Sequence, residues 1–205
     1  DYATMNNCNG DPADAVRRSQ FTALITAFSV AHIPLGIEPY ADGQDLEGFQ
    51  QWMQSANVFR NRGGIRDDWT SIVANLDSNA DGVAYTRAGA FNDPGLLQAG
   101  GKLTDVEYRA QVSLWAIMAA PLFIDADPSQ LSPATLTTLT NPEIIAIDQD
   151  SLALAGFRVG VGGAYGQGVE VWSKPLASCG ARAVAFFNRN DSAADIPLKW
   201  ADIGL

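Results

Sequence analysis

The sequence is poor in metal-binding and nucleophilic residue types: one histidine and two cysteines in 205 residues. With His32 alone and Cys8 and Cys179 far apart, the clustered Cys/His spacing of a zinc site is absent. Basic residues are scarce, with 13 Lys and Arg against 23 Asp and Glu and a formal net charge of −10. An acidic chain repels phosphate backbones and has no attraction for anionic bilayers, so neither nucleic acid nor membrane is expected as a partner. No apolar run reaches membrane-spanning length. The longest, Leu114 to Ile124, is too short, and no basic region precedes an apolar stretch at the start. A mature secreted chain would lack a signal peptide too, so this leaves the compartment open. The two cysteines are compatible with free thiols, one disulfide or partners elsewhere. Asn190-Asp191-Ser192 is an N-glycosylation sequon, usable only in a secreted chain.

What is present is a folded composition, 47% apolar and 18% charged. Up to about residue 155, strand-like and helix-like stretches alternate, the pattern of an α/β fold with parallel strands. Parallel strands are expected near 33–37, 56–60, 83–86 and 121–125. Helices are expected from Asp11 (an N-cap before Pro12) through Phe28, over 45–56, over 66–76 with Asp67 and Asp68 in the first turn, and over a long stretch opening with a Thr104–Glu107 capping box. Ser132-Pro133 and Asn141-Pro142 each open a further helical turn. AGAFNDPGLLQAGG, residues 88–101, reads as a Gly- and Pro-rich loop. From Gly156 onward apolar and polar residues alternate between glycines, which reads as antiparallel β structure.

Polar residues gather where the strands of the first part end: Asn6 and Asn7, Glu38, Arg60, Asn92 and Asp93, Asp125. Barrels and open α/β sheets carry their sites on that edge. Glu38 is either a hydroxyl binder or an acceptor for strand-end amides, and Asp93 either a site acid or part of an ordinary Asn-Asp-Pro turn. Asp125 and Asp127 read as caps of the following turn. DSNADG, 77–82, starts like a calcium loop but has Ala88 where a bidentate glutamate is needed. No metal or cofactor is expected. His32, in an apolar run, and most of the five tryptophans read as core.

Six stretches in order resemble glycoside hydrolase family 27, the α-galactosidases and α-N-acetylgalactosaminidases: DYATMNNC (1–8), FRNRGGI (59–65), AFNDPGLL (90–97), LWAIMAAPLF (114–123), IAIDQD (145–150) and EVWSKPL (170–176). The resemblance implies a (β/α)8 barrel followed by an antiparallel β domain, acting with retention of configuration and without a metal. It places residues 1–155 as the C-terminal half of that barrel and 156–205 as the start of the β domain. It implies an α-galactoside or other galactose-containing carbohydrate as ligand, a complementary N-terminal half-barrel as partner, and a secreted or extracellular setting, with a vacuole or lysosome as the alternative.

A retaining glycosidase needs two carboxyl groups about 5 Å apart. By the resemblance the nucleophile falls on Asn6 and the acid/base, four residues after Arg60, on Gly64. The family's lysine before the nucleophile falls on Thr4, and the second acid of its Asp-Pro-Asp on Gly95. Glu38, Arg60 and Asp93 keep the family's residues and are assigned to sugar binding. Cys8 is implied to pair with a cysteine outside the chain. An amide cannot form the usual glycosyl ester, and glycine has no proton to give, so hydrolysis is expected to be impaired. Four changed positions point to natural divergence, or to an Asp/Asn ambiguity, more than to a designed trap of the nucleophile. The alternatives are a non-catalytic galactoside binder or a structural subunit on the same scaffold.

Overall fold

The computed structural model describes residues 3–6, 15–38, 55–60, 63–159 and 168–205. The chain forms two compact units, residues 1–96 and 97–205. Residues 45–54 of the expected helix over 45–56, Asn7, Cys8 and the Asp11 cap lie outside the described residues, and Ser55 and Ala56 are not helical.

The first unit is a four-stranded parallel sheet in the order β1 (Ala3–Asn6), β2 (Leu35–Glu38), β3 (Val58–Phe59), β4 (Phe91–Asn92). Helix α1 (Ala15–Val30) joins β1 to β2, and α2 (Trp69–Asp81) lies between β3 and β4. In α1, Phe21 and Ile25 are one helical turn apart and bury against Leu35, Ile37 and Phe59 of the sheet. Burying each such side chain is worth about 1.5–3 kcal/mol. Asn57 fixes the register of β3. Its Oδ1 accepts from the Leu35 amide at 3.0 Å, and its Nδ2 donates to the Gly89 carbonyl at 2.9 Å.

Three expectations fail in this unit. Val83–Tyr85, read as a strand, is a 3-10 turn closed by Tyr85 N–H to Gly82 O and Thr86 N–H to Val83 O. The strand that pairs with β3 lies instead inside the stretch read as loop, at Phe91–Asn92. His32 is exposed rather than core. It sits at φ 55° just past α1, where the Ile33 amide turns back to Phe28 O and closes the helix. A smaller shift concerns α2: Asp68 is its N-cap and accepts from Ser71 N, so neither Asp67 nor Asp68 lies in the first turn.

In the second unit, α3 (Asp105–Ile117) opens with the expected Thr104–Glu107 capping box. Helices α4 (Pro133–Leu139) and α5 (Pro142–Asp148) open on Ser132 and Asn141 caps with proline at the first turn. Residues 121–125, expected as a buried strand, give one parallel bridge, Leu97 to Ile124. Phe123 and Asp125 are exposed. Asp127 caps the turn at Pro128–Gln130 through Ser129 N, whereas Asp125 has no such role among the hydrogen bonds described. The sheet β5 (Phe157–Val159), β6 (Val169–Pro175), β7 (Arg182–Asn188) is antiparallel. One face buries Val159 and Val171 against Ile203, and Trp172 on the other face is fully buried. No helix among the described residues is long and apolar enough to cross a membrane.

Candidate functional site

Register brings the candidate residues to one edge of the parallel sheet. Asn6 pairs with Glu38 across β1 and β2. Ile37 pairs with Phe59, and the next residue, Arg60, donates its amide to Ile37 O at 2.9 Å. Phe59 pairs with Asn92, and Asp93 donates its amide to Phe59 O at 2.7 Å. Because all four strands are parallel, the residue at each C-terminal end appears on the same side.

The side chains then converge. Arg60 Nη1 lies 2.6 Å from Glu38 Oε1, and Nη2 lies 2.5 Å from Asp93 Oδ2, to which Nε also donates at 3.2 Å. The other oxygen of Asp93 accepts from the Gly95 amide at 2.7 Å. The guanidinium is thus held from two sides by carboxylates, with Arg60 13%, Asp93 7% and Glu38 30% exposed in their side chains. Charge-assisted, partly desolvated contacts of this kind fix geometry more firmly than surface pairs do. The cluster carries one net negative charge, and Glu38 is its most exposed group.

Helix α2 supports the Asp93 turn with one buried side-chain amide and one backbone carbonyl. Asn75 Nδ2 donates to Pro94 O at 2.9 Å, and Asn92 Nδ2 donates to Asn79 O at 2.9 Å. Asp93 thus caps the Asn-Asp-Pro turn with one oxygen and holds Arg60 with the other. The supporting roles of the Asn75 side chain and the Asn79 carbonyl were not anticipated. An asparagine on a helix face otherwise turned to a core was the available signal for the first, and a backbone carbonyl leaves none.

The two glycines differ. Gly64 is exposed, and a Cβ built there meets no heavy atom within 4 Å, so the position has room for a side chain. Gly95 sits at φ +110°, with a Cβ only 3.0 Å from Ile65. An acid in that place would be strained and crowded. Asn190 lies in the second unit, exposed at the end of β7, with its amide donating to Asn188 Oδ1 at 3.0 Å. Cys179 is exposed and free. DSNADG lies at the end of α2, and among the described residues no group of three His, Cys, Asp or Glu could hold a metal.

The second unit holds a cavity of about 370 Å³, lined by Val112, Ile124, Leu136 and Ile144 among others, with Thr140 and Gln149 as its polar side chains. Its apolar lining contrasts with the charged strand-end cluster and suits packing better than a polyhydroxyl ligand. Sequence reading also missed a charged pair in this unit, fully buried at Lys174 and partly buried at Asp148. Lys174 is fully buried on β6, and Asp148 at the end of α5 has its pKa pushed up to about 7 by burial, with Lys174 pulling the other way. The inward alternation of Glu170, Trp172 and Lys174 along β6 was the signal for it.

Comparison with known proteins agrees with this architecture. The family model described as Alpha galactosidase A matches residues 37–150, and the Alpha galactosidase C-terminal beta sandwich domain matches residues 166–205. An alpha-galactosidase of Oryza sativa is 33% identical over 207 residues, covering 100% of this chain and 48% of the relative. Alpha-galactosidase 2 of Arabidopsis thaliana is 38% identical over 150 residues, covering 73% of this chain and 37% of the relative. The structure of an alpha-galactosidase from Saccharomyces cerevisiae with raffinose superposes with a TM-score of 0.76 at 28% identity, covering 92% of this chain and 48% of that one. The chain thus spans less than half the length of each of these relatives. Its fold is part of a (β/α)8 barrel followed by an antiparallel β domain, and the chain belongs to the alpha-galactosidase family, glycoside hydrolase family 27.

Proposed function

We propose that this chain is the C-terminal half of a galactoside-binding barrel of the α-galactosidase type, retaining hydroxyl-binding side chains but hydrolytically silent as written. The reading rests on one observation: Glu38, Arg60 and Asp93 are held together at the strand ends. The neighbouring strand end carries an amide, Asn6, in register with Glu38, and the position assigned to the acid is the open Gly64. Arg60, fixed between two carboxylates, presents no free charge for an anionic ligand. Glu38, the more exposed carboxylate, is suited to accept from sugar hydroxyls. Double displacement has neither its nucleophile nor its proton donor.

The same reading includes a barrel half ending near residue 155 and a complementary upstream half, from the same precursor or another chain. β1 begins the sheet order and has no partner on its outer edge among the described residues. An extracellular setting with a glycan on Asn190 also belongs to this reading, and a vacuole or lysosome is the alternative.

The test is nitrophenol release from an aryl α-galactoside by the mass-verified protein, together with its complementary half, and calorimetric titration with galactose. No measurable turnover is expected, with weak galactose binding that Glu38→Gln reduces while leaving the fold intact. Asn6→Asp alone should restore little. Asn6→Asp with Gly64→Asp should exceed either single change, since general acid–base help is worth about 10²–10⁴-fold. Robust turnover with Asn confirmed at position 6 and Gly at 64 would overturn the assignment, and Asp67, Asp68 and Asp93 would be the next acids to test. Absence of any galactose binding would leave only a structural role.

A further inference from the structure

The second unit contains a charged side chain with no exposure at all. Lys174, on β6, is 0% exposed. Its ammonium donates to two backbone carbonyls at helix ends: Ala116 O of α3 at 3.3 Å and Asp148 O of α5 at 3.1 Å. Neither helix has a basic residue in its own last turn. Carbonyls at a helix C-terminus carry negative partial charge, so an ammonium there is favourable, and it adds a second donor to Ala116 O, which also accepts from the Ala119 amide at 3.2 Å. The junction is close-packed. The Gly156 amide donates to Ile117 O at 2.7 Å, and a Cβ on Gly156 would lie 2.7 Å from that oxygen.

Asp148, whose backbone carbonyl Lys174 holds, also feels that ammonium by charge through its carboxyl, and the Oδ1 of that carboxyl is buried and accepts no hydrogen bond. The charged groups around the pair are few. On α5 the other is Glu143, in the first turn at the opposite end. Asp150, just past α5, uses its carboxylate on the amides of Leu152 and Ala177 and also acts on Lys174 by charge, favouring the ammonium. On β7 the residue facing Lys174 is Ala183, and Arg182 donates to Ser173 Oγ instead. On β5, Arg158 is engaged with Glu170. Asp148 therefore has Lys174 as its principal counter-charge.

We propose that Lys174 and Asp148 form a clamp between the two helix ends and the β sheet, which acid tightens and which loosens as Asp148 ionises. The ammonium holds the helix ends in either state. Asp148 is only partly buried, but its Oδ1 is shut away from solvent, so the neutral carboxyl fits there whereas the ionised one has a buried oxygen without a donor and must draw in water. Burial outweighs the pull of Lys174 and raises the pKa of Asp148 to about 7. The same burial lowers that of Lys174. For Asp148 the sign follows: the folded state holds its proton more tightly than the unfolded one. The stabilisation is complete below the ordinary carboxyl range near 3.8 and is lost as pH rises to about 7.

Two measurements on the full chain test this. The carboxyl carbon of Asp148, followed by NMR against pH, should titrate near neutrality and move higher still in Lys174→Met, which lacks the opposing charge. In denaturant unfolding, the wild type should lose up to about tenfold in its folding constant per pH unit between roughly 5 and 6.5 from this group. Asp148→Asn, isosteric with the protonated acid, should be flatter by that amount. Titration of Asp148 near pH 4, or equal pH slopes in wild type and Asp148→Asn, would overturn the clamp. The Asn comparison stands even where Lys174→Met does not fold.

Discussion

At the residue scale, the positions that depart from the family's pattern are not equivalent. Gly64 has open space around it, so Gly64→Asp should change stability by no more than about 0.5 kcal/mol. Gly95 is held at φ +110° with Ile65 against it, and its amide is committed to Asp93. Gly95→Asp should therefore cost about 1–3 kcal/mol from backbone strain alone, with crowding against Ile65 in addition. Denaturant midpoints of the two variants check the contrast, and equal midpoints would contradict the geometry at Gly95. A side chain is thus accommodated at position 64, whereas the local backbone resists one at position 95. Part of this was legible in the sequence. The placing of Glu38 and Arg60 at strand ends was read from apolar runs followed by a charge, whereas the strand before Asp93 lay in a stretch read as loop. That Arg60 is shared between two acids was not legible, because sequence gives no side-chain direction across a sheet.

At the element scale, helix limits were the clearest signal, because capping chemistry is local. Thr104 accepts from Glu107 N at 3.3 Å, and Glu107 accepts from Thr104 N at 2.8 Å, so two amides without intrahelical partners are satisfied by one four-residue pattern. Thr104→Ala should cost about 1 kcal/mol, and a thermal melt showing no loss would mean that the packing of α3 alone sets its start. Ser132-Pro133 and Asn141-Pro142 were readable for the same reason. Strands were harder. β3 and β4 have two residues each, too few for a period of two to show, and what holds β4 is its pairing with Val58 and Phe59, thirty-three residues earlier. Val83–Tyr85 has the apolar look of a strand, but its i to i+3 bonds close locally. His32 misled for a related reason: its left-handed backbone ends a helix, a place where glycine is the expected signal.

At the scale of the whole molecule, the alternation of α/β and β textures gave the order of architectures, whereas the two compact units, meeting between Leu96 and Leu97, had no marker in composition. The proposed complementary half makes a claim at this scale. A parallel strand such as β1 exposes unpaired amides and carbonyls along its free edge, and a sheet edge of this kind is a template for another strand. A partner that binds the folded chain and not the unfolded one stabilises it by mass action, by about 2.7 kcal/mol at a hundred times its dissociation constant. Mixing the chain with the complementary half of a full-length relative should therefore raise its melting temperature in a concentration-dependent way and give one co-eluting species on gel filtration. Glu38→Gln should leave that association intact, since it alters the proposed sugar site and not the edge of β1. A melting temperature that does not respond to the added half, with both polypeptides eluting separately, would mean that the chain completes its sheet by other means, and the galactose-binding assay would then be read on the chain alone.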